Sequence, residues 1–286
     1  MLAGKRLSIA FPDTVLEEHD SLREKTVKLG QIARACSVFG VDNVLVFRDP
    51  RGRGEPGLIR RVLEYLETPQ YLRKRLFPID ESLRYAGLLP PLRIPSHKPK
   101  VPVESLRPGD FREGVILGDR ATVDVGLERQ LALRQKVGGT PGRVTVKITS
   151  VTPLEGVLVD RSQPREYWGY VVEEGSVEQI LSDPRFRLKI ATSRLGVPLA
   201  MCLDNLRTQV KGTEGVMVVF GSPSRGLFDL IGDLPRRVGF VVNLYPEQHV
   251  ATVRTEEAVS SALYLLQVLS IPQVKHESLK ANGKSG

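Results

Sequence analysis

The sequence is short of the residues that make disulfides, metal centres and membrane spans. It has two cysteines, Cys36 and Cys202, in 286 residues. That number excludes a thiolate zinc site and suits a reducing compartment such as the cytoplasm. The four histidines, His19, His97, His249 and His276, lie far apart with no ligand spacing, so no structural or catalytic metal is expected. No apolar run approaches the roughly 20 residues of a membrane-crossing helix. Met1 to Arg6 also lacks the long apolar stretch of a signal peptide, so no membrane partner is expected. The phosphate-binding pattern G-x-x-x-x-G-K-[ST] is missing, which argues against a P-loop enzyme.

What is present is a substantial apolar complement, 41% of residues, and a net charge of +8. The length suggests two domains. The charge suggests a polyanionic partner, nucleic acid foremost, with a merely soluble basic protein as the other reading. The excess is unevenly spread. Residues 1–92 carry 15 basic and 12 acidic side chains, residues 93–170 carry 13 and 9, and residues 171–286 carry 13 and 12. The middle piece is therefore the densest in excess positive charge.

The chain opens as a βαβ unit. Leu7 to Phe11 reads as a strand, and Ser21 with Glu24 has the spacing of a capping box. Leu22, Leu29, Ile32, Ala33, Cys36 and Phe39 share one helical stripe that stops at Gly40. On that stripe Cys36 is a core residue rather than a nucleophile. Val44 to Phe47 is the second strand, and two strands joined through a helix imply a parallel sheet. Gly52 to Gly57 then matches G-x-G-x-x-G, yet Arg48 to Arg51 separate it from the strand and Pro56 stiffens it. A lone match of this kind is weak. A dinucleotide loop, a mobile loop offering Arg48, Arg51 and Arg53 to phosphates, and an ordinary solvated loop all stay open. Leu58, Ile59, Val62, Leu63 and Leu66 form another stripe. The basic segment Pro69 to Arg75 reads as a solvated helix face, with RNA contact as its second reading.

Composition shifts at the proline-rich, basic stretch from Pro90 to Lys100. Short strands follow at 111–117, 120–127, 129–134, 143–151 and 155–160. Val144, Val146 and Ile148 alternate with Thr145, Lys147 and Thr149 as in a half-exposed strand. About five strands in so short a span suggest a small OB-like barrel, a fold that binds single-stranded nucleic acid on a basic face. Phe111, Tyr167 and Trp168 are the few aromatics near it, so backbone and shape recognition is expected over base stacking.

The α/β pattern resumes near Tyr170. Leu188 to Ala191 is a strand with a turn at Thr192 to Gly196, and Leu199, Leu203, Leu206 and Val210 mark a helix. Val216 to Phe220 is a buried strand running into Gly221 to Gly226, where glycines permit a tight turn and close approach to a ligand. Val238 to Leu244 is a third strand, followed by a polar loop to Arg254. Thr255 then supplies a hydroxyl cap, with Glu256 and Glu257 in the first turn of an apolar helix. Loops at the carboxyl ends of neighbouring strands are where an open α/β sheet places its ligand.

FGSPSRG, followed by N-x-x-P-x-Q-x-x-x-T-V-R-T-E-E-A, resembles the SPOUT methyltransferases, in their archaeal and eukaryotic branch with an inserted domain. The resemblance covers the whole chain. It implies an α/β fold: a SPOUT-type, Rossmann-like parallel sheet with a C-terminal trefoil knot, interrupted by the OB-like barrel. The implied division is a split knot domain at 1–92 and 169–274, an insert at 93–168 and a flexible tail at 275–286. It implies a cytoplasmic homodimer that methylates ribosomal or other structured RNA with S-adenosylmethionine, at a base nitrogen such as N3 of uridine.

By the same resemblance three loops hold the cofactor. Thr192, Ser193 and Gly196 belong to the first, and Phe220, Gly221, Ser222, Pro223 and Gly226 to the second. Asn243, Leu244, Tyr245, Pro246, Gln248, Ala251, Thr252 and Val253 make the third. Arg194, Arg225 and Arg254 are the catalytic candidates, a basic setting easing loss of a base proton. Each of the three could instead orient an RNA phosphate or cap a carboxylate. A non-catalytic RNA-binding or ribosome-assembly factor that retains the fold is the alternative function.

Overall fold

A computed structural model describes residues 4–118, 121–134, 138 and 142–271. The tail expected at 275–286, and residues 272–274 before it, lie outside the described residues.

The first α/β segment comprises β1 (Arg6–Pro12), α1 (Leu22–Phe39), β2 (Asn43–Phe47), α2 (Pro56–Glu67) and α3 (Gln70–Leu76). Five strands follow: β3 (Phe111–Ile116), β4 (Thr122–Asp124), β5 (Leu131–Leu133), β6 (Arg143–Val151) and β7 (Leu154–Val159). The second α/β segment runs β8 (Val171–Gly175), α4 (Val177–Leu181), β9 (Leu188–Pro198), α5 (Leu199–Gly212), β10 (Gly215–Val219), α6 (Leu227–Leu230), α7 (Leu234–Arg237), β11 (Phe240–Asn243) and α8 (Thr255–Ser270).

The two α/β segments share one six-stranded parallel sheet of order β11-β9-β10-β1-β2-β8. β1 and β10 lie at its centre, and alternation along each feeds two cores. Leu7, Ile9, Phe11, Val216 and Val218 join one core with residues of α1, α2, α5 and α8. Ala10, Met217 and Val219 join the other with residues of α4, α6 and α7. Burial on both faces is the reason these strands read as nearly continuous apolar runs, interrupted in β1 by Ser8, whose buried hydroxyl donates to the Asn43 carbonyl (2.9 Å). α1 starts where the Ser21 side chain accepts the Glu24 N–H (3.2 Å), and it ends at Gly40, whose φ of 72° suits glycine. Cys36 is fully buried in the first core, and burial pushes its thiol well above the ordinary range. A thiol so placed is packing, not a nucleophile.

The inserted strands close into a barrel of order β3-β4-β5-β7-β6 with its own apolar core. The barrel is docked against the α/β part by buried charge. Glu67, the last residue of α2 and 2% exposed, receives the guanidinium groups of Arg143 and Arg161. Glu113 of β3, 1% exposed, accepts from Arg143, from Thr145 Oγ1 (2.6 Å) and from Trp168 Nε1. The proline-rich, basic stretch at 90–100 is packed: Leu92 and Ile94 sit in the α/β core, and the His97 ring pairs with the Glu67 carbonyl (2.7 Å).

α3 is solvated on one side only: Lys74 and Arg75 are exposed, while Tyr71, Leu72 and Arg73 turn inward. Tyr71 donates its hydroxyl to the Glu113 carbonyl (2.9 Å), and Arg73 stacks on Tyr65 (4.5 Å) while donating to the carbonyls of Leu66 and Thr68. Arg75 pairs with Asp124 of the barrel. Contact with an aromatic ring and a barrel carboxylate accompanies that exposure, because an arginine stem covers apolar surface as readily as its head reaches water.

Candidate functional site

Three segments converge at the carboxyl ends of β9, β10 and β11. The turn expected at Thr192 to Gly196 is an excursion within a longer strand. β9 pairs with β11 at Ala191–Val241 and again at Val197–Val242, so residues 192–196 loop out between two adjacent partners. Gly196 returns the chain to the ladder: a Cβ there would lie 2.7 Å from the Val241 carbonyl oxygen. Thr192 donates to the Val219 carbonyl (3.3 Å), and Asn243 donates to the Arg194 carbonyl (3.0 Å) while accepting the Tyr245 N–H (2.9 Å). The loop from Gly221 folds on itself, with the Ser222 N–H on the Arg225 carbonyl (3.0 Å) and the Arg225 N–H on Ser222 Oγ (3.1 Å). A Cβ at Gly221 would sit 2.9 Å from the Arg225 carbonyl oxygen, so that turn requires glycine.

Between these segments lies a cavity of about 350 Å³, within the range of small-molecule sites. Thr192, Ser193 and Arg194 border it on one side, and Phe220, Gly221, Ser222, Pro223 and Gly226 on a second. Asn243, Leu244, Tyr245, Gln248, Ala251, Thr252 and Val253 close it. Gly196 and Pro246 are not on its wall, nor are Arg225 and Arg254. Leu195, Ser224, Leu227, Phe228, Asp229, Thr255 and Ala258 line it without having been expected. Ser224, Thr255 and Ala258 stand within the two motifs themselves, and the other four lie within three positions of residues expected at the site.

Gly226 has an ordinary φ of −71°, and a Cβ there would meet only Asp229 Oδ2, at 3.8 Å. Neither the backbone nor the packing requires glycine at this position. A side chain would instead extend from the wall of the cavity.

The three arginines part company. Arg194 reaches the Ala251 carbonyl (3.4 Å), tying the first loop to the third. Arg254 is exposed at the N-cap of α8, where its backbone N–H goes to Glu257 (2.9 Å). Thr255, expected as the cap, is buried as the first helical residue. Arg225 turns its guanidinium away from the cavity to the buried carboxylate of Asp49 (2.5 Å), with Glu17 at 3.9 Å. Its Nε is buried with no hydrogen-bond partner among the described residues. Glu17 also accepts from Ser222 Oγ (2.8 Å) and the Ser224 N–H (3.3 Å). The loop after β10 is thus held by acids in the loops after β1 and β2.

Among the described residues, no group of three His, Cys, Asp or Glu could hold a metal ion, and no helix is long and apolar enough to cross a membrane.

A family model described as "Putative RNA methyltransferase" matches residues 6–266. A Halobacterium salinarum protein of uncharacterized function is 35% identical over 281 residues, 90% of this chain and 96% of its own. The 28S rRNA (uridine-N(3))-methyltransferase of Mus musculus is 32% identical over 305 residues, 91% of this chain and 76% of its own. Its Homo sapiens counterpart is 31% identical over 309 residues, 91% and 77% of the two chains. The crystal structure of an RNA 2'-O ribose methyltransferase superposes with a TM-score of 0.41 at 9% identity, over 93% of this chain and 57% of that one. That likeness is too loose to carry an assignment, which rests on the sequence matches. The chain belongs to this family of RNA methyltransferases, within the SPOUT class that its C-terminal motifs resemble.

Proposed function

We propose that the protein methylates N3 of a uridine in ribosomal RNA, with S-adenosylmethionine bound in the cavity between the loops after β9, β10 and β11. The observation that carries this reading is the open side of Gly226, an unforced glycine on the wall of a ligand-sized cavity in an RNA methyltransferase chain. The rRNA uridine-N3 activity of the mouse and human relatives supplies the substrate class.

The residues present fit that cofactor. Phe220, Leu244 and Val253 give the cavity apolar wall for a flat adenine. The backbone of the 221–226 loop approaches without a Cβ at its two ends, and Asp229 at the rim suits an ammonium group. When bound, S-adenosylmethionine supplies a methyl group already activated by a positively charged sulfur. The protein then has mainly to align the accepting nitrogen and exclude water. Arg254, exposed beside the third loop, is the cation placed to ease loss of the uracil N–H proton by favouring the anionic ring. Arg194 keeps the first and third loops at fixed spacing.

Three further features belong to this reading. The passage from β11 through residues 244–254 into α8 is taken as the knotted part of the SPOUT fold. The barrel, with β5 and β7 parallel and its other pairs antiparallel, is taken as an OB-like module for RNA. Its lone tryptophan is buried on Glu113, which favours recognition through backbone and shape. A homodimer is proposed from exposed apolar side chains: Leu195 (73%) on the cavity wall, Met201 (79%) on α5 and Tyr264 (62%) on α8. The two cysteines are free, in keeping with a cytoplasmic enzyme. Calorimetric titration with S-adenosylmethionine, competed by S-adenosylhomocysteine, tests the cavity assignment. Saturable, competed binding is expected, and no binding would remove the cofactor from this site.

A further inference from the structure

A second cavity, about 650 Å³, opens on the same edge of the sheet at the ends of β1, β2 and β8. Asp13 and Asp49 lie on its floor, and Arg48 and Arg53 are on its wall. The methyl-donor cavity is its neighbour, because β1 pairs with β10 and the Arg225–Asp49 ion pair stands between the two.

The glycine loop that resembled a dinucleotide motif forms one side of this cavity, and it is pinned rather than loose. A side chain at Gly52 would collide with Thr14 and Arg225, and one at Gly54 with the Asp13 carboxyl group. The Gly52 N–H bonds the Asp49 carbonyl (3.3 Å), and the Glu55 N–H bonds that of Asp13 (3.0 Å). Glycine serves here to press the loop onto the carboxylates, not to cradle a pyrophosphate. Arg48, Arg51 and Arg53 are left exposed on a fixed frame.

Among the described residues none of the three makes an ion pair within 4 Å, although Arg48 lies close enough to act on the Asp13 carboxyl, and the other nearby carboxylates have partners of their own. Asp49 pairs with Arg225, Glu55 with Lys25, and Glu174 with Arg60. Asp13 accepts the Asp49 N–H on one oxygen (3.0 Å). Burial, seconded by the Asp49 charge, raises its pKa, against the Asp49 N–H and Arg48, which lower it. A buried carboxyl facing a cavity favours a ligand that brings a hydrogen-bond donor, and a pair of exposed arginines outside any ion pair favours phosphate.

We propose that this cavity is a nucleotide subsite for the RNA strand next to the methyl-accepting uridine, with Arg48 and Arg53 on its phosphates and Asp13 accepting a base or ribose N–H or O–H. The proposal rests on the RNA methyltransferase reading and adds a site to it. The subsite touches the donor cavity through Asp49 and Arg225, so RNA seated here steadies the 221–226 loop.

The test uses the full chain and a mixed-sequence single-stranded RNA oligonucleotide titrated at rising KCl. Each phosphate contact on a single strand contributes roughly 0.7 to the salt slope. Arg48→Ala with Arg53→Ala should therefore flatten the slope by about 1.4. The pair Arg6→Ala with Arg187→Ala removes equal charge at the opposite edge of the sheet and should change the slope by less than half as much. Asp13→Asn separates recognition from electrostatics, because removing a negative charge alone would tighten RNA binding. The subsite predicts several-fold weaker binding with an unchanged melting temperature. An unchanged slope in the Arg48/Arg53 variant, an equal loss in the control pair, or tighter binding by a folded Asp13→Asn protein would overturn the proposal. Cofactor titration of the same variants keeps the two readings apart. Normal S-adenosylmethionine affinity with altered RNA binding supports the subsite, whereas a wild-type protein that binds RNA but never the cofactor would refute the methyltransferase reading alone.

Discussion

Replacing Arg143 by methionine removes the cation on which the docking of barrel and sheet depends. Burial works against the charge of Arg143, and the Glu67 and Glu113 carboxylates more than offset it, so its pKa is raised and it stays protonated. In Arg143→Met, Glu67 retains Arg161, while Glu113 retains only the Thr145 hydroxyl and the Trp168 N–H. Breaking a buried ion pair by removing one partner costs about 3–5 kcal/mol, because the other charge stays desolvated. Each carboxylate keeps one or two donors, which places the expected loss near the lower end, about 3 kcal/mol. Trp168 is the sole tryptophan, is 5% exposed and donates to Glu113, so its fluorescence reports on this junction directly. Urea unfolding followed by that signal is the assay. Adding Glu113→Gln to the arginine variant should restore more than half of the loss, since Glu113 is the carboxylate left without a cation while Glu67 keeps Arg161. A loss below about 1 kcal/mol in Arg143→Met, the level of an exposed pair, would mean the barrel is not clamped by these charges.

Gly226→Val should leave the melting temperature within a degree or two and lower S-adenosylmethionine affinity at least tenfold, about 1.4 kcal/mol; wild-type affinity in a calorimeter would move the cofactor elsewhere. Arg254→Ala should keep cofactor affinity but lose roughly 10²-fold or more in single-turnover transfer, the scale of one assisted proton transfer, and a wild-type rate would reduce Arg254 to a bystander. Burial lowers the His97 pKa, against the Glu67 carbonyl, which raises it. The unfolded chain therefore binds the proton more readily, and stability is full above the unfolded value of about 6.5 and falls as pH drops below it. His97→Gln should flatten that fall between about pH 7 and 5, as read from urea midpoints across the range; an unchanged profile would show that His97 is not its source.

The sheet was legible because both its faces are buried, so Leu7 to Phe11, Val44 to Phe47 and Val216 to Val219 carry apolar runs that only a covered parallel strand needs. The barrel was legible from alternation, although Thr145 breaks the pattern by burying its hydroxyl on Glu113. The excursion at 192–196 was not legible, since pairing with β11 resumes only across a long-range contact. Nor was the direction of Arg225. Its neighbours in sequence form the cavity wall, but Asp49 lies far back in the chain, and no local pattern records an ion pair of that separation. Motif resemblance brought most of the cavity lining together. Gly196 and Pro246 sit in the same loops but off the cavity wall.

The most direct measurement is to incubate the purified protein with S-adenosylmethionine carrying a labelled methyl group and ribosomal RNA from a strain lacking the protein, then digest the RNA and identify the labelled nucleoside by mass spectrometry. The account predicts label in 3-methyluridine at a defined position, and none when Gly226→Val replaces the wild type. Label on a ribose hydroxyl or on another base, or no label from a protein that binds both RNA and cofactor, would contradict it.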